Sequence, residues 1–110
     1  MVNIVYRREY LPHQYIGYHL KAQGHADYAK DKGDDIVCAG VSALFYTLAN
    51  YLEYIGAEDI DANDEGEFDI NCKALHYDKA VHTAFRMTVF GIALMEEQYP
   101  NNISLTEESD

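Results

Sequence analysis

The stretch DDIVCAGVSALFYTLANYLEYIG, residues 34–56, carries the strongest structural signal in the chain. Its apolar residues recur at spacings of three and four, which is the period of one face of an α-helix. These residues are Val37, Val41, Leu44, Leu48, Leu52 and Ile55. Asp34 and Asp35 offer an N-cap just ahead of them, and Gly56 offers a stop. The pattern therefore predicts a helix from about Ile36 to Ile55 with one face turned towards a core.

Two strands are predicted ahead of this helix, over residues 2–9 and 14–23. In the second strand the apolar side chains fall on one face at a period of two. They are Ile16, Tyr18, Leu20 and Ala22. The segment LPHQ, residues 11–14, separates the strands, and its Pro12 interrupts strand pairing. A hairpin is the simplest interpretation.

A third strand and a second helix are predicted after Gly56. The strand alternates, with Phe68, Ile70, Cys72 and Ala74 inward and Glu67, Asp69, Asn71 and Lys73 outward. Residues 57–62 are a candidate hairpin partner across NDEG, although acidic residues dominate them. The second helix is expected from about Lys79 to Gln98, capped by Asp78 and ended by Pro100. Its expected packing stripe is Ala80, Ala84, Met87, Gly91 and Leu94 or Met95.

The order β-β-α-(β)-β-α predicts a single α+β domain over residues 1–110. Such a mixture is typical of a two-layer sandwich, in which two helices cover one face of a small, mostly antiparallel or mixed sheet. The last residues, NNISLTEESD at 101–110, are polar and acidic, so we expect them to be a frayed tail.

Charge and composition exclude several classes of function. The chain carries 19 acidic and 8 basic residues, a formal charge of −11, and has no basic cluster for nucleic-acid phosphates. Its surface should attract basic partners instead. The first residues lack the apolar run of a signal peptide, and no segment approaches the ~18 consecutive apolar residues of a membrane span. We therefore expect a cytoplasmic protein with reduced thiols.

The most informative side chain is Cys38, in the first turn of the predicted helix. Unpaired N–H groups and the positive end of the helix dipole favour an anion there, and such positions lower the pKa of a thiol. A cap carboxylate from Asp35 would oppose this effect in part. The alternative is a buried cysteine that behaves as a small apolar residue.

His25 follows Gly24 at the end of the second strand, and residues 26–34 form a charged loop between it and the helix. Folding back of this loop would place an imidazole beside Cys38, as a general base and acid for a nucleophilic thiol. The alternative is a surface histidine. Ser42, one turn after Cys38, could hydrogen-bond a substrate or bond back to the Cys38 carbonyl.

Other chemistries receive less support from the residues. Zinc would accept the donor atoms of His25, Cys38, Cys72 and His76, but their spacing contains no CxxC pair, so we expect no metal. Glycine-rich loops of the phosphate-binding and dinucleotide-binding kinds are missing from the sequence, and no cofactor is expected.

The segment GHA, residues 24–26, followed by a short loop and DIVCAGVSAL, residues 35–44, resembles the signature of the ribosomal-processing cysteine protease family, Prp. The order and length of the elements agree over most of the chain. The loop is about one residue longer than is common in that family. Gly40 stands where alanine is frequent, and glycine inside a helix costs ~1 kcal/mol relative to alanine.

The resemblance implies a cytosolic, usually homodimeric endopeptidase with a Cys–His dyad. Such enzymes remove a short N-terminal extension from a protein of the large ribosomal subunit, cutting after an aromatic-containing sequence. Carried over to this chain, Cys38 is the nucleophile and His25 the base, while Gly24, Asp35 and Ser42 shape the site. Two alternatives remain: a non-catalytic dimeric module that binds a basic ribosomal protein, and a paralogous protease with another substrate.

Overall fold

The computed structural model describes residues 1–24, 32–63 and 68–109, and for residues 32–35 it describes the backbone alone. The elements are β1 (Val2–Tyr10), a short 3₁₀ turn (Pro12–Gln14), β2 (Tyr15–Gln23), α1 (Lys32–Tyr54), β3 (Asp61–Asn63), β4 (Phe68–Leu75), α2 (Lys79–Gln98) and β5 (Ile103–Ser109).

The strands form one mixed five-stranded sheet in the order β3-β4-β2-β1-β5. β1 and β2 pair antiparallel as the predicted hairpin, with Tyr6 opposite Leu20. β4 runs antiparallel to β2, and β5 runs parallel to β1 at the edge. The α+β fold with a mixed sheet is therefore confirmed.

Burial of one face of this sheet creates the core. Alternate residues are buried in β2, in β4 and in β1 as far as Tyr6, and so is one stripe of each helix. The strand contribution is Val2, Ile4, Tyr6, Ile16, Tyr18, Leu20, Ala22, Phe68, Ile70, Cys72 and Ala74. Polar groups occupy the opposite face, where His19 lies 2.8 Å from the Glu9 carboxylate. Both helices therefore cover the same face, and the two-layer arrangement is confirmed.

The predicted ends of the helices are mostly confirmed. α1 stops at Gly56, whose φ of 74° suits a residue without a Cβ, and the Ala57 amide bonds to the Leu52 carbonyl at 3.0 Å. The Asp78 carboxylate caps α2 by accepting from the Val81 amide at 3.2 Å.

The predicted start of α1 is wrong. The helix begins at Lys32, so Asp34 and Asp35 lie inside its first turn rather than at its N-cap. Acidic residues are also favoured in a first turn by the helix dipole, which is why the same two residues fit both starts.

The predicted packing stripe of α2 is only partly confirmed: Ala84 and Met95 pack at the edge of the core and Gly91 lies beside Leu44 of α1, but other residues form the buried face. Its buried residues are Val81, Phe85, Thr88, Val89 and Ile92. Met87, assigned to the core by sequence, is 76% exposed. The stripe of larger side chains packs on the sheet because it buries more apolar area than the stripe of small ones, which lies on another side of the helix.

The predicted frayed tail is an ordered strand. Ile103 is fully buried, and the Val2 amide bonds to the Asn102 carbonyl at 2.8 Å just ahead of the pairing of β5 with β1. The pairing partner of β5 is β1, at the other end of the chain. The polarity of residues 101–110 alone therefore could not reveal that they form a strand. The predicted partner of β4, residues 57–62, is confirmed only at its end, because the strand that pairs antiparallel with β4 is Asp61–Asn63.

By length and composition, residues Ile36–Tyr54 of α1 could cross a membrane, with a mean hydropathy of 1.3. We expected no segment that could span a membrane, and by this criterion that expectation is wrong. Val37, Val41 and Leu48 of this segment are buried in the core, which is the position of a core helix in a globular protein.

If β5 is part of the fold, Ile103→Ala should lower the free energy of unfolding by about 2–5 kcal/mol, because Ile103 is fully buried. Thr106→Ala is the matched control, since Thr106 is exposed on the same strand. Urea unfolding followed by circular dichroism measures both. Equal, small losses would show that β5 contributes little to stability.

Candidate active site

Gly24 directly follows β2, where the chain leaves the sheet. Its φ is +76°, and a Cβ at this position would lie 2.5 Å from the Met1 carbonyl oxygen. A side chain would therefore meet both backbone strain and a backbone clash. Glycine is therefore required where the chain leaves β2, directly before His25 in the sequence.

Cys38 lies on α1 between two residues that hold the helix against the sheet, Val37 and Val41, both fully buried. The Cys38 side chain is half-buried and packs at the edge of the core. Ser42 donates a hydrogen bond from its hydroxyl to the Cys38 carbonyl at 2.8 Å. Of the two roles considered for Ser42, the structure shows the hydrogen bond back to the Cys38 carbonyl. Ser42 lies one turn after Cys38 on α1.

The remaining predicted site residues are not placed. His25 lies outside the described residues, as do residues 26–31 of the predicted loop, and Asp35 is described by its backbone alone. The structure thus brings Cys38 and Ser42 together, and it locates Gly24 at the end of β2. The pairing of His25 with Cys38 stays a prediction.

The expectation that Cys38 sits in the first turn of its helix is wrong. Because α1 begins at Lys32, Cys38 lies at the end of the second turn, roughly 9 Å past the first residue. The effect of the helix dipole falls off within the first turn. The helix dipole therefore contributes little at the position of Cys38.

Gly40 explains one departure of the sequence from the family motif. A Cβ at Gly40 would lie 2.7 Å from the terminal methyl carbon of Met95 on α2. Gly40 therefore leaves space that the end of the Met95 side chain fills. Met95, which the sequence offered only as an alternative to Leu94 in the packing stripe, thus contacts α1 at Gly40.

Cys72 is a different kind of thiol. It is 3% exposed on β4, and its thiol lies 3.5 Å from the Glu58 carbonyl oxygen. Burial, with the nearby charges of Asp78 and Asp59, raises the pKa of Cys72 to about 11. The thiol is therefore neutral and shielded at physiological pH.

Within residues 1–24, 32–63 and 68–109, no three histidine, cysteine, aspartate or glutamate side chains gather in a group that could hold a metal ion. His25 of the zinc alternative lies outside these residues. Neither Cys38 nor Cys72 is in a disulfide.

A small apolar cavity of about 190 Å³ lies beside α1 at the end of the sheet where β2 stops. Its lining includes Phe45, Tyr46, Ala49, Phe68 and Ile70. The Phe45 and Phe68 rings lie 5.2 Å apart, and Tyr46 meets Phe68 edge-on. Such a lining accepts an apolar or aromatic side chain. Phe45 was not assigned to the buried face of the helix from the sequence, because its neighbour Leu44 already fitted the spacing of three and four residues.

The profile of the family described as cysteine protease Prp matches residues 1–104. The chain belongs to this family. The ribosomal processing cysteine protease Prp of Staphylococcus aureus is 36% identical over 85 residues, which cover 74% of this chain and 78% of that protein. Membership of the Prp family makes the chain a cysteine protease.

Solved structures agree with this fold. The essential ribosomal processing protease Prp of S. aureus in complex with a substrate peptide superimposes with a TM-score of 0.76, at 24% identity, over 97% of this chain and 99% of that one. The same Prp with a covalently linked product peptide gives a TM-score of 0.69 at 25% identity, over 94% and 98% of the two chains. A Streptococcus mutans protein gives 0.74 at 24% identity, over 100% and 96%.

Gly24→Ala should destabilise the protein more than Gly56→Ala. Both glycines have left-handed backbone, with φ of +76° and +74°, so both substitutions carry the conformational cost of about 1–2 kcal/mol. Only Gly24 also meets a carbonyl oxygen, since nothing lies within 4 Å of a Cβ at Gly56. Urea unfolding of the two variants isolates the clash with Met1, and equal losses would contradict this close approach.

Proposed function

We propose that this chain is a cysteine endopeptidase that removes a short N-terminal extension from a protein of the large ribosomal subunit, with Cys38 as nucleophile and His25 as general base and acid. The observation that carries the assignment of the nucleophile is the contrast between the two cysteines. Cys72 is buried and protonated, whereas Cys38 is half-buried on the helix that carries the family motif.

The chemistry needs the thiol as its anion. A proton passes from the Cys38 thiol to the His25 imidazole, and the thiolate attacks the carbonyl carbon of the scissile peptide bond. The bond from that carbon to nitrogen breaks as the imidazolium donates its proton to the leaving amine. Water, deprotonated by His25, then hydrolyses the thioester and restores Cys38. Because Cys38 is two turns into α1, His25 carries most of the task of stabilising the thiolate.

The other motif residues have supporting roles in this proposal. Gly24 fixes the backbone at the end of β2, next in sequence to His25, and Ser42 hydrogen-bonds to the Cys38 carbonyl within α1. Asp35 shapes the site from the first turn of α1.

The substrate class is supported by charge and by the relatives. Ribosomal proteins are commonly basic because they bind RNA phosphates, and a chain with a formal charge of −11 attracts them at long range. The curated relative is named a ribosomal processing protease, and a related structure holds a substrate peptide. The proposed location is the cytoplasm, where ribosomes are assembled.

Cys38→Ala and His25→Ala should remove cleavage of the host ribosomal protein with its intact N-terminus, whereas Cys72→Ala should leave it largely unchanged. The loss for His25→Ala should be about 10²–10⁴-fold, the usual range for a positioned acid or base. The readout is the mass of the product at successive times, measured by mass spectrometry.

Alkylation by iodoacetamide provides the second readout. Wild type should be modified at Cys38 near neutral pH but not at Cys72, whose pKa of about 11 keeps it protonated. His25→Ala should need a higher pH for the same rate at Cys38. Cleavage by Cys38→Ala would overturn the proposal, and an unchanged pH dependence in His25→Ala would remove His25 from the dyad.

We also propose that the active form is a homodimer that joins through the groove between α1 and α2. This groove of about 750 Å³ is lined by apolar or small residues, with Lys79 at one end. Its most exposed large side chains are Met87, Phe90, Tyr51 and Leu94, at 76%, 63%, 46% and 46%. Two copies that each carry −11 repel one another, so they can meet only where charge is nearly absent.

Met87→Glu should shift the protein to monomers, because it would bury an unpaired carboxylate in a closed apolar interface. Tyr77→Glu is the control, since Tyr77 is 64% exposed outside the groove. Sedimentation velocity over a range of concentrations gives the mass of each. A monomeric wild type, or a Met87→Glu dimer as stable as wild type, would contradict this interface.

A further inference from the structure

The apolar cavity of about 190 Å³ beside α1 lies on the same side of that helix as Cys38. Successive residues of an α-helix are about 100° apart, so Cys38, Phe45 and Ala49 fall within about 40° of one another around the axis of α1. Gly40, which contacts Met95 of α2, falls about 160° away from Cys38. The proposed nucleophile and the cavity therefore share the side of α1 that is turned away from α2.

The helix also sets the distance between the cavity and Cys38. Phe45 and Ala49, which both line the cavity, are seven and eleven residues after Cys38. These separations correspond to about 10 Å and about 16 Å along the helix axis. An extended peptide advances about 3.3 Å per residue. A substrate chain that lies along α1 with its scissile carbonyl at Cys38 would therefore reach the cavity after about three to five residues.

The cavity has an apolar floor and a mouth that solvent reaches. The floor is formed by the buried side chains of Phe45, Phe68 and Ile70. Tyr46 stands at the mouth, where it is 49% exposed, and its ring meets Phe68 edge-on with centroids 5.4 Å apart. Ala49 is half-buried and contributes no more than a methyl group to the wall. A side chain of another molecule can therefore enter beside Tyr46 and pack on the aromatic floor.

The chemistry of the lining favours one class of side chain. Ala62 and Asn63 of the edge strand β3 complete the wall, and the lining that the structure describes contains apolar, aromatic and amide side chains but no charged one. A charged side chain would lose its hydration in this cavity without gaining a partner of opposite charge. An apolar or aromatic side chain would instead gain buried area and ring contacts.

We propose that this cavity is a specificity subsite of the protease, which binds one apolar side chain of the substrate about three to five residues from the scissile bond. Ala49 limits the size of that side chain, because any larger residue at this position would occupy the same space. Tyr46 covers the bound side chain from the solvent side. The inference rests on the proposed function, since it takes Cys38 as the residue that attacks the substrate.

Binding is tested first, without turnover. The probe is a synthetic peptide that covers the N-terminal extension of the host ribosomal protein and the residues after it, titrated into Cys38→Ala protein with carbon-13-labelled alanine methyl groups. The methyl signals of Ala49 and Ala62 should show saturable shifts in NMR spectra. The signal of Ala43, which is exposed on α1 outside the cavity, should not shift. Absence of a saturable shift at Ala49 would overturn the subsite, whether or not wild type cleaves the peptide.

Cleavage then tests whether Ala49 limits the size of the bound side chain. Peptides that carry phenylalanine or alanine at each position three to five residues from the scissile bond are compared by kcat/KM. Wild type should prefer phenylalanine at one of these positions by about tenfold or more. Ala49→Leu should abolish or reverse this preference, because the leucine side chain fills the cavity. Tyr46→Ala should reduce the preference without reversing it.

Ala43→Leu is the matched control, since it makes the same substitution at an exposed position of the same helix and should keep the preference of wild type. An unchanged preference in Ala49→Leu, or an equal change in Ala43→Leu, would overturn the inference. Saturable shifts at Ala49 without any cleavage by wild type would support the cavity as a peptide-binding site and contradict the proposed function alone. The two failures are therefore distinguishable.

Discussion

Burial of a single face of the sheet under two helices is the constraint on which the other features of this protein depend. The central strand β2 supplies Ile16, Tyr18, Leu20 and Ala22 to that face, and β1 and β4 match it on either side. A slip of one residue in any of these strands would exchange the buried and polar faces. The register is therefore set by the core, and the ends of the strands, including Gly24, are positioned by it.

The same packing holds the proposed nucleophile. Val37 and Val41 are fully buried and fix the rotation of α1 about its axis, so Cys38 is held at the border of the core. Gly40 allows Met95 of α2 to close against α1 just beyond it. The position of Cys38 thus comes from packing along a helix face rather than from a helix terminus. In the proposed mechanism, this position leaves the ionisation of the thiol to His25.

Charge is distributed unevenly over the surface, so different regions suit different binding partners. Only one side of each helix packs on the sheet. The groove between α1 and α2 is therefore open and nearly uncharged. Acidic residues dominate elsewhere, in keeping with a formal charge of −11. Each region is formed by elements that are distant in the chain.

The sequence by itself determined the elements whose signals are local. The hairpin, the Asp78 cap, the Gly56 stop and the alternation of β4 follow from spacing and turn chemistry, and the GHA and DIVCAGVSAL segments identified the family. Tertiary structure alone decided the role of Ile103, because its partner strand lies at the other end of the chain. It also decided which stripe of α2 is buried, since Phe85 and Met87 are both apolar and only contact with the sheet distinguishes them. The start of α1 belongs with these, because Asp34 and Asp35 suit a cap and a first turn equally well, and this difference moves Cys38 from the end of the helix into its interior.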